Sequence, residues 1–320
     1  MIPTVTVVLP VYNECETLTT LHARLVPVLE QVIGDAFEVL FVDDGSRDGS
    51  AEILDAFHER DPRLKTIHFS RNFGHQAALQ AGLDEAQGQA VIMMDADLQD
   101  PPEVIEQFIS HWRKGYDVVY AVRRKRKEGV FKRTAYAAFY RSMKVISEID
   151  VPLDAGDFCL MDRRVVDTLV SLRERNRFLR GLRSWVGFRQ LAVEYERDTR
   201  YAGQPKYTLR KLVALALSGY IGFSAMPLRA ATWLGAFAAS TGFLFALWAL
   251  ITRFVGIYSP RGWASTIAVI LFIGGVQLLM LGIIGEYLSR VYDEVRRRPL
   301  YIVRSRVGAI EHNTKSIGTS

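Results

Sequence analysis

The sequence predicts an α/β domain built on a mostly parallel sheet, followed by a helix lying in a membrane interface and two transmembrane helices. Three observations carry this prediction. Up to about Gln89, short β-branched runs alternate with helical-period segments through polar or glycine-bearing turns, the pattern of βαβ units. Unusual polar residues stand directly after these runs. Beyond Arg200 the chain becomes apolar over lengths close to the roughly 20 residues that a helix needs to cross a bilayer core.

The strands follow in order. "TVTVVLP" opens the chain and reads as a first strand, since "MIPTVTVVLPVYNE" lacks the basic start and long apolar stretch of a signal peptide. "FEVLFVDD", "LKTIHFS" and "AVIMMDAD" come next, and "YDVVYAV" follows after a further helix. Ligands of open parallel sheets bind beyond the carboxyl ends of the strands. There the sequence places Tyr12, Asn13 and Glu14 after the first strand, Asp43 and Asp44 after the second, Arg71 and Asn72 after the third, and Asp95 and Asp97 after the fourth. One polar turn is ordinarily a helix cap or a loop; four on the same rim indicate a site.

The C-terminal third is organised by hydropathy. Ala230 to Ile251 and Trp263 to Ile284 are apolar around their whole circumference, unlike the one-sided helices of a soluble core. The connecting "RFVGIYSPRG" holds two arginines, whereas Arg210, Lys211 and Arg229 precede the first span and Arg290, Arg296, Arg297 and Arg298 follow the second. The positive-inside rule then leaves the N-terminal domain and the C-terminal tail in the cytosol. "YTLRKLVALALSGYIGFSAMPLR" has the length and mixed polarity of an interfacial helix. The expected division is a cytosolic domain over 1–207, an interfacial helix over 208–228, a two-helix hairpin over 229–288 and a cytosolic tail over 289–320, disordered from Gly308.

Composition narrows the chemistry. The formal charge of +5 is modest, but much of the surplus lies after residue 120 in clusters such as "RRKRKEG" and "EVRRRP", which suit an anionic membrane or a phosphate-bearing substrate. Cys15 and Cys159 have no metal-ligand spacing, which argues against a zinc site or disulfide framework. Neither a Walker loop nor a G-x-G-x-x-G is present, so kinase and dinucleotide readings lose their usual support. "VFKRTAYAAFYRSMKVI" mixes aromatic and basic residues, a pattern better explained by lipid than by nucleic acid. Asp95 and Asp97, one residue apart at a strand end, can share a hard divalent cation, and Gln99 can add a carbonyl oxygen. Mg²⁺ or Mn²⁺ held in this way completes its shell with water and substrate phosphates, which points to a nucleoside diphosphate.

Six blocks, "VVLPVYNE", "VDDGSRDGS", "RNFGHQAALQAG", "DADLQDPPE", "DAGDFCLMDRRV" and "AGQPKYTLRKL", resemble the signatures of the family 2 inverting glycosyltransferases of GT-A fold. More narrowly they are similar to the polyisoprenyl-phosphate group that contains dolichyl-phosphate mannose synthase and the GtrB-type bactoprenol glucosyltransferases. The likeness covers about the first 230 residues. One departure is Pro205, where the "GxSKY" block of relatives has Ser before the lysine; it removes a hydroxyl contact but not Lys206.

The resemblance implies a sugar nucleotide lying over the strand ends, with Pro10, Tyr12, Glu14 and Asp44 around base and ribose and Arg71 as a further contact. It assigns Asp95, Asp97 and Gln99 to a metal bridging the diphosphate. It places Asp157 at the reaction centre as base or organiser, although an Asp capping a turn before "FCLM" explains that residue nearly as well. For the lipid phosphate the expected ligands are Arg123, Arg133, Arg200 and Lys206, because guanidinium forks match phosphate oxygens. His75 lies in the "RNFGH" block and can approach the nucleotide, though a packed or exposed histidine is the simpler reading. Trp185 and Phe188 fit either the substrate entrance or the core.

The implied reaction is metal-dependent, inverting transfer of a hexose, foremost glucose from UDP-glucose, onto undecaprenyl or a similar polyprenyl phosphate at the cytosolic face of the plasma membrane. A homo-oligomer, a tetramer, is expected through close packing at Gly242, Gly274, Gly275, Gly282 and Gly285. GDP-mannose or a UDP-aminoarabinose derivative are alternative donors. A processive polysaccharide synthase fits less well, because "GLRSW" lacks the glutamine of Q-x-x-R-W. A non-catalytic nucleotide-binding membrane partner fits less well again, because both metal carboxylates are present.

Overall fold

The computed structural model describes residues 3–123, 155–172, 174 and 178–195, a set of helical positions between 233 and 251, and residues 262–308. Contacts divide the chain into two units. The first comprises Met1–Ala137, Ile149–Lys206 and Arg298–Ser320; the second comprises Ala138–Glu148 and Tyr207–Arg297.

The first unit is an eight-stranded sheet. Its strands are β1 (Val5–Val11), β2 (Phe37–Asp43), β3 (Leu64–Phe69), β4 (Ala90–Met93), β5 (Val118–Arg123), β6 (Ala155–Asp162), β7 (Gln190–Tyr195) and β8 (Val303–Val307). They lie in the order β7-β5-β6-β4-β1-β2-β3-β8. The run β4-β1-β2-β3 is parallel, as βαβ alternation dictates. β6 runs antiparallel to β4 and β5, and β8 antiparallel to β3, so the sheet is mixed. β1 and β2 are buried along their whole length, which is why they read as near-continuous apolar runs instead of alternating ones.

Helices cover both faces. α1 (Cys15–Ile33) and α4 (Val104–Arg113) send Leu18, Leu21, Leu25 and Phe108 onto the face of β1 that carries Val7 and Leu9. α3 (His75–Glu85) and α5 (Arg163–Ser171) send Leu79, Leu83, Val165 and Leu169 onto the opposite face, with Val8. α3 lies flush against β1 because Gly82 has no side chain: a Cβ there would stand 2.1 Å from a Val8 methyl. α2 (Ser50–Arg60) and the short α6 (Leu179–Trp185) complete the described helices of this unit.

Three strands go beyond the sequence reading. β6 contains Asp157, so the alternative of a turn-capping aspartate is replaced by a residue inside a strand. β7 pairs with β5 after a short helix. β8 comes from the expected C-terminal tail. It is secured by Tyr301, whose ring stacks on Phe69 at 5.0 Å and whose hydroxyl donates to Asp84 at 2.8 Å. The Ser70 N–H donates to the Ile302 carbonyl at 2.9 Å, and Arg306 pairs with Glu85 at 2.8 Å. "VRSRV" looks too charged for a core strand, but at a sheet edge arginines are suitable because they discourage further pairing. The residues expected to be disordered beyond Gly308 lie outside the described set, as does the expected interfacial helix over 208–228.

In the second unit one helix runs from Trp263 to Val295, 33 residues. It continues past the expected hairpin end near 288 and carries Glu286, Arg290, Asp293 and Glu294 in its final turns. Its stretch Phe272–Val295 is long and apolar enough to cross a membrane, with mean hydropathy 1.5 and none of it buried. Phe272, Leu278, Leu281 and Leu288 are all exposed, so the apolar surface faces outward as a lipid-facing helix requires. Two spans were expected. Among the described residues only this helix has the length of a span; the region of the first is represented by the shorter apolar helix Gly235–Leu244.

Candidate active site

The strand order reverses between β1 and β4, since β1 is followed in space by β2 on one side and β4 on the other. In open sheets ligands bind beyond the carboxyl ends of the strands at such a switch point, and the loops leaving the parallel strands β1, β2, β3 and β4 all stand at that end.

The first two loops are stitched together by hydrogen bonds. The backbone N–H of Asn13 donates to Ser46 Oγ at 3.0 Å, and the N–H of Arg47 returns to Asn13 Oδ1 at 2.9 Å. The N–H groups of Glu14 and Cys15 donate to Ser50 Oγ and Asp48 Oδ2 at 3.0 and 3.1 Å. Asn13 takes the left-handed conformation with φ 56°, which turns the chain from β1 into α1. Pro10 stays buried inside β1, while the Tyr12 ring is 47% exposed and free to meet a planar ligand. Glu14 caps α1, and its Oε2 lies 3.1 Å from the Thr17 hydroxyl.

Asp44 is buried, and it accepts hydrogen bonds from the backbone N–H groups of Phe73 at 2.6 Å and Gly74 at 2.9 Å. It therefore shapes the loop after β3. Burial pushes its acidity down, raising the pKa despite those two donors. Beside it, Asp43 takes His68 Nδ1 at 2.9 Å and the Ser46 N–H at 2.9 Å. Burial opposes its ionisation, but those hydrogen bonds outweigh it and hold the carboxyl below the usual range. Arg71 lies over the Phe73 ring, 4.3 Å from its centroid, and makes no ion pair among the described residues.

The loop after β4 carries Asp95, Asp97 and Gln99. Leu98 is held at φ 60°, a costly conformation for a leucine and a mark of a loop whose shape is imposed by its surroundings. The Gln99 N–H donates to Asp97 Oδ1 at 3.1 Å, and the Gln99 side chain is buried. Asp95 Oδ1 is buried with no hydrogen-bond partner. Burial pushes the Asp95 pKa up to about 6, with Asp100, Asp157 and Asp97 adding to it and His75 opposing it. A buried carboxylate oxygen that accepts no hydrogen bond and meets only the His75 ring at 3.6 Å, next to a second carboxylate, is one that a hard cation would satisfy. No group of three or more His, Cys, Asp or Glu that could hold a metal ion occurs among the described residues.

Asp157 enters from β6, buried. Arg180 grips it with Nε 2.7 Å from Oδ1 and Nη2 2.9 Å from Oδ2. His75, the first residue of α3, brings its Nε2 within 3.4 Å of Asp157 Oδ2 and 3.6 Å of Asp95 Oδ1. Burial alone would raise the Asp157 pKa, but His75 and Arg180 hold it far below the ordinary carboxylate range. His75 is itself raised: burial lowers it, and the two carboxylates more than offset that.

Asp95, His75 and Asp157 thus converge, so His75 is neither simply packed nor simply exposed: it faces two carboxylates. Arg180 was missed. "RFLRGLRSW" offers no motif for it, and only the return of α6 over β6 reveals its partner. Arg183, one turn on, is fully buried where Arg180 is half-exposed, its guanidinium 5.0 Å from the Tyr120 ring and its Nε and Nη1 without hydrogen-bond partners. Trp185 is 60% exposed, whereas Phe188 packs against the core beneath α6. Of the expected phosphate ligands, Arg123 ends β5 opposite Tyr195; Arg133, Arg200 and Lys206 lie outside the described residues.

Comparison with known proteins identifies the family. Residues 6–170 match glycosyl transferase family 2, and residues 226–291 match the GtrB C-terminal hairpin. An uncharacterized glycosyltransferase of Bacillus subtilis, YkcC, is 50% identical over 303 residues, 94% of each chain. A second, sll0501 of Synechocystis, is 45% identical over 299 residues, 93% of each chain. The SfII prophage-derived bactoprenol glucosyl transferase of Shigella flexneri is 42% identical over 301 residues, 94% of this chain and 97% of its own. With the sheet domain matching over residues 6–170 and the hairpin over 226–291, this chain belongs to glycosyl transferase family 2, in the branch that carries the GtrB hairpin.

Proposed function

We propose that the protein transfers glucose from UDP-glucose to a polyprenyl phosphate at the cytosolic face of the plasma membrane, with inversion at the anomeric carbon. The observation that carries this reading is the convergence of Asp95 and Asp157 on His75 at the β1/β4 switch point. The name of the Shigella relative supports glucose and bactoprenol as the two substrates. The donor lies over the strand ends, with Pro10, Tyr12, Glu14 and Asp44 around its base and ribose. Asp95, Asp97 and Gln99 are the residues that would hold Mg²⁺ or Mn²⁺. When bound, the ion neutralises charge developing on the departing diphosphate.

The acceptor needs little proton removal. A phosphate monoester with a second pKa near about 6 is largely dianionic at neutral pH and attacks through an oxygen that already carries charge. Asp157, held ionised by Arg180, is suited to orienting hydrogen-bond donors at the reaction centre. Arg123, Arg133, Arg200 and Lys206 remain our assignment for the lipid phosphate, and assembly through the membrane helices as a tetramer remains part of the proposal.

The test is transfer from a panel of radiolabelled sugar nucleotides to polyprenyl phosphate by purified protein in detergent, with Mg²⁺, Mn²⁺ or EDTA. We expect a lipid-extractable product from UDP-glucose that EDTA abolishes. Product from a different donor would change the sugar, and no product from any donor would reject the reading.

A further inference from the structure

The Arg180 fork does more than neutralise a buried charge. Two parallel N–H···O contacts fix the plane of the Asp157 carboxylate as well as its position, which a single ammonium contact would not do. The support behind the fork is equally specific. α6 starts at Leu179, whose backbone N–H donates to Gln76 Oε1 at 3.2 Å, and Gln76 follows His75 on α3. The helix that delivers Arg180 is therefore pinned to the helix that delivers His75, and both point at one carboxylate on β6. Asp157 is 5% exposed and Arg180 37%, so the fork lies at the edge of the site with its carboxylate behind it.

We propose that Arg180 is a positioning residue for sugar transfer: its bidentate grip sets the orientation of Asp157, and through Asp157 that of His75, relative to the donor sugar. The inference rests on the transfer reading above. It separates charge from geometry. A lysine at 180 keeps the charge and loses the fixed plane; an alanine loses both.

The experiment uses the full-length protein in detergent with UDP-glucose and polyprenyl phosphate, comparing wild type, Arg180→Lys, Arg180→Ala, Asp157→Asn and the Arg180→Ala/Asp157→Asn double variant. Arg180→Ala is expected to lower kcat on the order of 100-fold, the scale of a misplacement of about 1 Å, with the donor KM within about twofold of wild type. Arg180→Lys should lie between the two, which keeps the test usable if the alanine variant folds poorly. Added guanidinium should restore part of the Arg180→Ala rate and none of the double variant's. The double variant should fall no further than Asp157→Asn alone, since the two residues act as one unit.

Wild-type kcat in both Arg180 variants would overturn the inference while leaving the transfer reading intact. So would a loss that guanidinium does not reverse and that adds to the Asp157→Asn loss, because that pattern marks a purely structural contact. Absence of transfer by the wild-type protein would reject the transfer reading itself and this inference with it.

Discussion

Asp44 accepts the backbone N–H of Phe73 at 2.6 Å and thereby ties the loop after β2 to the loop that introduces His75. A residue expected around the base and ribose braces two loops of the site. Asp44→Asn replaces one carboxylate oxygen by an NH₂ that cannot accept from Phe73 or Gly74. We expect a stability loss of about 1.5–3 kcal/mol, the scale of hydrogen bonds to a charged group, together with weaker UDP-glucose binding. Denaturant unfolding and calorimetric titration check both. Unchanged stability with lost binding would instead mark direct ribose contact as its main role.

Asp95 predicts how metal affinity should follow pH. Its folded pKa of about 6 lies above the ordinary carboxylate value, so the free protein gains relative stability below the ordinary value and loses it as pH rises through about 6. A cation that requires the ionised form competes with that proton. Mn²⁺ should raise the thermal midpoint more at pH 7.5 than at pH 5, and binding near pH 6 should release protons measurable in buffers of different ionisation enthalpy. An equal midpoint shift at both pH values would contradict Asp95 as a ligand.

Asp97→Ala should separate folding from metal use. Asp97 is only partly buried and accepts the Gln99 N–H within its own loop, so the substitution leaves the hydrophobic core untouched and the variant should still unfold cooperatively. Mn²⁺ affinity should fall by at least the order of 10–100-fold seen when residues that merely support a ligand are changed. Full transfer activity in the purified variant would remove the metal assignment.

Gly45 tests the close approach between the β2 and β3 loops. Its φ is +72°, and a Cβ would lie 2.7 Å from the Arg71 carbonyl carbon. Gly45→Ala adds a left-handed penalty of about 1–2 kcal/mol to that clash. Thermal unfolding should show the loss, and a variant as stable as wild type would show that the loops can part without cost.

The C-terminal strand makes the last prediction. Ending the chain after Arg298 removes β8, the Tyr301–Phe69 stack and the Arg306–Glu85 pair, and exposes the edge of β3. The truncated protein should unfold at lower temperature and aggregate through that edge, as light scattering would report. Tyr301→Phe should lose only the hydrogen bond to Asp84, about 0.5–1.5 kcal/mol.

What the sequence determined by itself was local in origin. β-branched runs followed by polar turns placed β1 to β5. Apolar stretches of span length marked the C-terminal hairpin, because each of these signals is complete within about 20 residues. Tertiary structure decided what depends on contacts between distant segments. β8 completes a sheet edge from more than 230 residues away, and its arginines disguise it because an edge strand need bury only part of its surface. Asp157 and Arg180 stand 23 positions apart, and neither residue's own neighbourhood shows that a guanidinium fork will hold the carboxylate ionised. His75 reads as one more helix-opening polar residue until β4 and β6 bring Asp95 and Asp157 to its Nε2. Hydrophobic periodicity records which face a residue turns inward; the charge it meets there depends on how the strands are ordered in the sheet.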